Sequence, residues 1–98
     1  MRIKVELHKD VVWYIRHRCN REEAESFYER LEKVRLEPIT NSQAISDPKV
    51  GRYMLRFFRF LRNIAVFEYD IARDHIRVLE CRKPLPKHGQ RQRADEGP

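Results

Sequence analysis

Long apolar runs are missing from this chain. No stretch approaches the ~18 consecutive apolar residues that suggest a membrane span. The first residues, Met1-Arg2-Ile3-Lys4-Val5-Glu6, alternate charge with hydrophobe where a signal peptide would carry an apolar block. Glycine is scarce, with three residues, and none forms a Gly-rich phosphate loop. The two cysteines, Cys19 and Cys81, stand far apart and match no metal spacing such as C-x-x-C. A reducing cytoplasm fits these absences, and neither a metal nor another cofactor is expected. Cys81 ends an apolar strand-like run, where a buried thiol behaves as a small hydrophobe.

What is present bounds the answer further. With 98 residues and 41% apolar side chains, the chain has room for one core and no second domain. Charged residues make up 37%, and the net charge of +6 attracts polyanions or an acidic protein, an attraction that weakens with salt. Charge alone does not decide between those partners, since many small soluble domains are basic without binding nucleic acid.

Ile3, Val5 and Leu7 alternate with Lys4, Glu6 and His8, the period of a half-buried strand. Residues 11–18 read as a short helix that Asp10 can cap. A stronger helix follows over residues 20–37. Asn20 and Glu23 have capping-box spacing, and Ala24, Phe27, Leu31 and Val34 form one apolar stripe. Pro38 stops it. Residues 40–51 read as an irregular connection. Three strand-like runs follow: an aromatic and arginine-rich one over 52–61, an aliphatic one over 64–70, and an alternating one over 75–81. The linker Ile71-Ala72-Arg73-Asp74 is short enough to make the last two an antiparallel hairpin. Residues 84–98 are basic and without apolar periodicity, so a disordered tail is expected. The predicted fold is α+β. An N-terminal strand and two helices precede a three-stranded antiparallel meander, giving one small sheet packed on helices within residues 1–83.

The meander carries a more specific pattern. Arg52-Tyr53-Met54-Leu55-Arg56, Ala65-Val66-Phe67-Glu68-Tyr69-Asp70 and Ile76-Arg77-Val78-Leu79-Glu80-Cys81-Arg82 resemble the last three strands of the RelE/ParE toxin superfamily, which includes plasmid stabilisation proteins. The resemblance covers roughly residues 1 to 83. It implies the toxin half of a type II toxin–antitoxin pair, neutralised by an acidic antitoxin protein and acting on mRNA at the ribosome. The alternatives are a ParE-type inhibitor of DNA gyrase, or a binding module that keeps the fold without the chemistry.

Two departures bear on the chemistry. Ile64 stands where ribonuclease members usually place an arginine, with Arg62 two residues earlier. The segment after the last strand lacks the usual Tyr or His, so His88 is the first candidate acid. RNA cleavage of the implied kind needs cations around a charged phosphorane, a role that suits the planar, permanently charged fork of arginine. Arg56, Arg62, Arg82 and Lys83 form the candidate catalytic set. On the first meander strand, Arg56, Phe58 and Phe60 share one face, while Leu55, Phe57, Arg59 and Leu61 share the other. One of these faces must cover the helices, so Arg56 and Arg59 do not both easily reach one site. The alternative for Arg56 or Arg59 is a solvated guanidinium whose stem covers apolar surface. Arg82 and Lys83 are equally readable as strand-end charges that discourage edge pairing. His75, at a strand start, is expected to face solvent. Most of Trp13, Tyr14, Phe57, Phe58, Phe60 and Phe67 are expected in the core.

Overall fold

The computed structural model describes residues 3–45 and 53–84. Residues 85–98, which hold His88 and nearly all of the predicted tail, lie outside the described residues. Part of the 40–51 connection and Arg52 do as well. The elements run β1 (Lys4–Leu7), α1 (Lys9–His17), α2 (Arg21–Leu36), β2 (Gln43–Ala44), β3 (Tyr53–Phe60), β4 (Asn63–Asp70) and β5 (His75–Arg82). A short 3₁₀ turn, Ile71–Arg73, closes the β4–β5 hairpin.

These strands form a five-stranded mixed sheet in the order β1-β5-β4-β3-β2. The predicted meander is β3-β4-β5, antiparallel throughout. β1 lies parallel to β5, with Val5 opposite Ile76 and Leu7 opposite Val78. The two helices between β1 and the meander supply the long crossover that a parallel pairing requires. The sequence reading missed β2. Its two residues, paired to Phe57 and Arg56, are too few to show any alternation.

Helix starts follow from their caps. The Asn20 side chain accepts the Glu23 N–H, and Glu23 accepts the Asn20 N–H, the predicted capping box in full. The start of α1 differs from expectation. Its cap is His8, whose Nδ1 accepts the Asp10 N–H at 3.0 Å, and the helix begins at Lys9.

Both helices cover one face of the sheet. Phe27 of α2 meets Phe58 and Phe60 of β3 at centroid distances of 5.9 and 5.2 Å, and Phe58 in turn meets Phe67 of β4. Val11, Ile15, Val34, Ile76 and Val78 complete a buried cluster, against which Leu31 is only partly covered. Phe27, wholly buried, anchors this core. Phe27→Ala is therefore expected to cost ~3–5 kcal/mol, and Leu31→Ala to fall near the lower end of ~2–5 kcal/mol. Urea unfolding of the two variants checks the order. Equal losses would contradict the packing.

Candidate nucleic-acid interface

Pairing across the sheet sorts the arginines by face. Phe58 and Phe60 point to the helices, so Leu55, Phe57 and Arg59 point to the opposite, outer face. In β4 the inward residues are Ala65, Phe67 and Tyr69, which leaves Ile64, Val66 and Glu68 outward.

β5 breaks its own alternation. Val66 pairs with Glu80 but Phe67 pairs with Val78, so Leu79 is the extra residue of a β-bulge. Without it, strict alternation from Ile76 and Val78 would carry Arg82 to the helix face. The bulge instead turns Cys81 against the core and Arg82 outward, opposite Ile64. Ile64 in turn lies opposite Arg59. Arg59, Ile64 and Arg82 thus form one row across three strands. The two arginines are about 10 Å apart at the backbone, two strand spacings. Arg82 Nε donates to Glu80 Oε2 at 3.0 Å, whereas Arg59 has no ion pair or hydrogen bond among the described residues.

Arg62 and Lys83 lie at the same end of the sheet. β4 begins at Asn63, so Arg62 occupies the two-residue turn after β3 instead of extending the strand face. Leu61 beside it has φ 56°, a strained setting for a branched side chain, and both side chains are exposed. Lys83 Nζ is 3.8 Å from Glu23 Oε2, and the Arg62 charge also acts on Glu23. An open groove of about 330 Å³ lies between this turn and the start of α2, lined by Asn20, Glu22, Glu23, Leu61 and Arg62.

Arg56 is placed apart from the other three. It points to the helix face and is 8% exposed. Its Nε donates to Ser42 Oγ at 2.6 Å, and one terminal nitrogen donates to the carbonyls of Ser42 and Ile39. A buried guanidinium needs such partners to offset lost hydration. Here they tie the α2–β2 connection to the sheet.

The sequence reading missed a polar network beneath this end of the sheet. The Tyr14 hydroxyl donates to Oδ1 of the wholly buried Asn63 at 2.6 Å, and Asn63 Nδ2 donates to Glu23 Oε2 at 3.0 Å. The Asn20 N–H and the Asn63 amide hold the Glu23 carboxyl below its ordinary range, with Lys83 and Arg62 adding to the effect. Burial pushes the Tyr14 hydroxyl up, and pushes the Cys81 thiol up to about 12, which keeps that thiol protonated and unreactive. The sequence signal for this network was a side-chain amide, Asn63, at the start of an apolar strand.

Histidine is engaged elsewhere among the described residues. His8 caps α1, His17 stacks on Trp13 at 4.8 Å, and His75, half-buried rather than solvent-facing, is 3.1 Å from Glu6 Oε1. Of the aromatic residues expected in the core, Phe58, Phe60 and Phe67 are buried, Tyr14 and Phe57 are half-buried, and Trp13 is exposed under the Arg18 guanidinium. No group of three or more His, Cys, Asp or Glu able to hold a metal occurs among the described residues. Among the same residues no helix is long and apolar enough to cross a membrane.

A helix pair on one face of a five-stranded mixed sheet is a small α+β architecture, and known structures share it. It aligns with a chain of the archaeal RelE–RelB complex from Pyrococcus horikoshii at a TM-score of 0.73 and 19% identity, covering 85% of this chain and 96% of that one. A chain of the intact E. coli RelBE toxin–antitoxin complex gives 0.64 and 13%, covering 86% and 99%. The isolated E. coli RelE toxin gives 0.63 and 12%, covering 86% of each chain. No protein-family model and no curated protein gives a match. The chain has the RelE toxin fold.

Two outcomes test the polar network. Tyr14→Phe leaves the buried Asn63 carbonyl without its donor and should cost ~1–3 kcal/mol in a urea melt. Glu23 has its folded pKa below its unfolded value, so its contribution is present above the unfolded value of about 4.3 and is lost as pH falls through the folded one. The melting temperature should therefore drop less between about pH 5 and pH 3 in Glu23→Gln than in the unmodified chain. Parallel pH profiles would contradict the assignment.

Proposed function

We propose that this chain is the toxin of a type II toxin–antitoxin pair, neutralised by an acidic antitoxin, that cleaves mRNA on the ribosome in the cytoplasm. The observation that carries the reading is the β5 bulge, which brings Arg82 to the face of Arg59 with Arg62 and Lys83 at the same end, on a RelE fold. The named relatives support the partner, since two of the aligned structures are complexes of RelE with RelB or of the RelBE pair.

The chemistry follows from the substrate. The ribose 2′-oxygen attacks the adjacent phosphorus as its proton leaves, and the resulting phosphorane spreads negative charge over its equatorial oxygens. The P–O5′ bond then breaks and the leaving oxygen takes up a proton. Arg82 and Arg62 supply preorganised cations for the phosphorane, and Lys83 adds charge at the strand end. Arg56 acts through the connection it holds, not through contact with RNA.

One observation favours a different target. Ile64 places a buried aliphatic side chain between Arg59 and Arg82, where the ribonuclease resemblance calls for a further arginine. A ParE-type inhibitor of DNA gyrase needs no such cation. Inhibition of gyrase supercoiling by the purified chain would support that reading instead.

Expression in a bacterial host should slow growth, and co-expression of a cognate acidic antitoxin should restore it. Loss of one preorganised donor commonly costs ~10²–10³ in rate, so Arg82→Ala and Arg62→Ala should each relieve the inhibition. Arg82→Lys should restore it only in part, because a point charge lacks the bidentate fork. Equal toxicity of all three variants and the unmodified chain would overturn the arginine roles.

A further inference from the structure

β2 covers only part of the β3 edge. Gln43 pairs with Phe57, and the Ile45 N–H bonds to the Leu55 carbonyl at 3.1 Å. Leu55 and Phe57 therefore turn their backbone polar groups toward β2, and by strand alternation so does Arg59. The residue that would meet Arg59 is Asn41, but its N–H bonds back to the Glu37 carbonyl as the chain arrives from α2. Among the described residues no strand pairs with Arg59 on that side, so its backbone donor and acceptor face an edge that β2 does not cover. A groove of about 300 Å³ passes over this edge, lined by Arg30 of α2, Thr40, Asn41, Gln43, Phe57 and Arg59 among others.

Three features identify the ligand chemistry. Arg30 and Arg59 are exposed guanidiniums, and neither has an ion pair or hydrogen bond among the described residues. The Asn41 amide nitrogen is used on the Lys33 and Glu37 carbonyls, which leaves its oxygen as an acceptor beside the Thr40 hydroxyl and the Gln43 amide. Phe57 is half-buried on the outer face next to Arg59, where a ring can stack on a base. Cations for phosphates, neutral polar groups for base edges and a ring face together suit single-stranded nucleic acid. An acidic peptide fits less well. Among the described residues this stretch of edge offers the hydrogen-bonding groups of one residue, and strand addition needs a longer row.

We propose that this groove binds a phosphodiester segment of single-stranded RNA, with Arg30 and Arg59 on successive phosphates. Arg59 is shared with the row that ends at Arg82, so the groove leads the strand from the α2 side over the β3 edge and onto the outer face. Arg56 is a positioning residue for it, because its bonds to Ser42 and Ile39 fix the connection that forms one wall. The inference rests on the RNA-directed reading above and adds the path by which RNA reaches the site.

The test is fluorescence anisotropy with a short labelled 2′-O-methyl oligouridylate, which the chain cannot cut, over a salt series. Arg30→Ala and Arg59→Ala should each raise Kd roughly five- to tenfold and lower the slope of log K against log salt by about 0.7. Arg16→Ala, an exposed arginine of α1, should change neither. Circular-dichroism melts identical to that of the unmodified chain establish that the variants fold. If the unmodified chain binds the oligonucleotide and the double variant Arg30→Ala/Arg59→Ala binds it with the same Kd and slope, the groove proposal alone is overturned. Oligoglutamate binding that depends on both arginines, with RNA binding that does not, would overturn it too. No binding by the unmodified chain overturns both the groove and the RNA-directed reading.

Discussion

The contact of Phe27 with Phe58 and Phe60 decides the direction of every side chain in β3. Once two aromatic residues two positions apart are committed to the helix face, period-two geometry commits Leu55, Phe57 and Arg59 to the other. A slip of one residue would bury Arg59 and expose the phenylalanines. Burial of the aromatic cluster against α2 makes that slip costly, with each such side chain worth ~1.5–3 kcal/mol. The same commitment turns Arg56 inward, so the fold must satisfy a buried guanidinium. It does so with Ser42 and Ile39, and thereby fixes β2 and the connection beside it.

The bulge at Leu79 is the second decision. β5 begins in phase with the core through Ile76 and Val78 and ends out of phase, with Arg82 outward and Cys81 inward. One extra residue thus lets a single strand serve the core along most of its length and the outer face at its end. Arg59 and Arg82 are thus held in fixed register by strands, while Arg62 stands in the β3–β4 turn at the same end. Beneath this surface, the Tyr14–Asn63–Glu23 chain of hydrogen bonds joins α1, the start of β4 and the capping box of α2. The helix cap and the position of the site are therefore one structure.

Much of this was legible in the sequence because the deciding interactions are local. The Asn20–Glu23 cap, the Ile3-Val5-Leu7 alternation and the turn after Asp70 each lie within a few residues, and each appears as expected. β2 is too short for a period, and the parallel pairing of β1 with β5 depends on residues some seventy positions apart. The bulge is invisible for a sharper reason. Val78-Leu79-Glu80-Cys81-Arg82 reads equally well in either phase, and only the partner strand reveals where the extra residue falls. Arg62, Arg82 and Lys83 could be grouped because they lie close to the ends of strand-like runs, whereas the burial of Arg56 follows from a connection that no pattern predicted. Arg30 carried no signal at all, since it sits among the solvated charges of α2.

The central claim is that the arginine-bearing outer face acts on RNA. The most direct measurement is in vitro translation with added purified protein, followed by mapping of mRNA ends. The account predicts new breaks in mRNA engaged by ribosomes and none in the same mRNA free in solution. Translation that proceeds with intact mRNA, at protein concentrations that inhibit gyrase supercoiling, would contradict it.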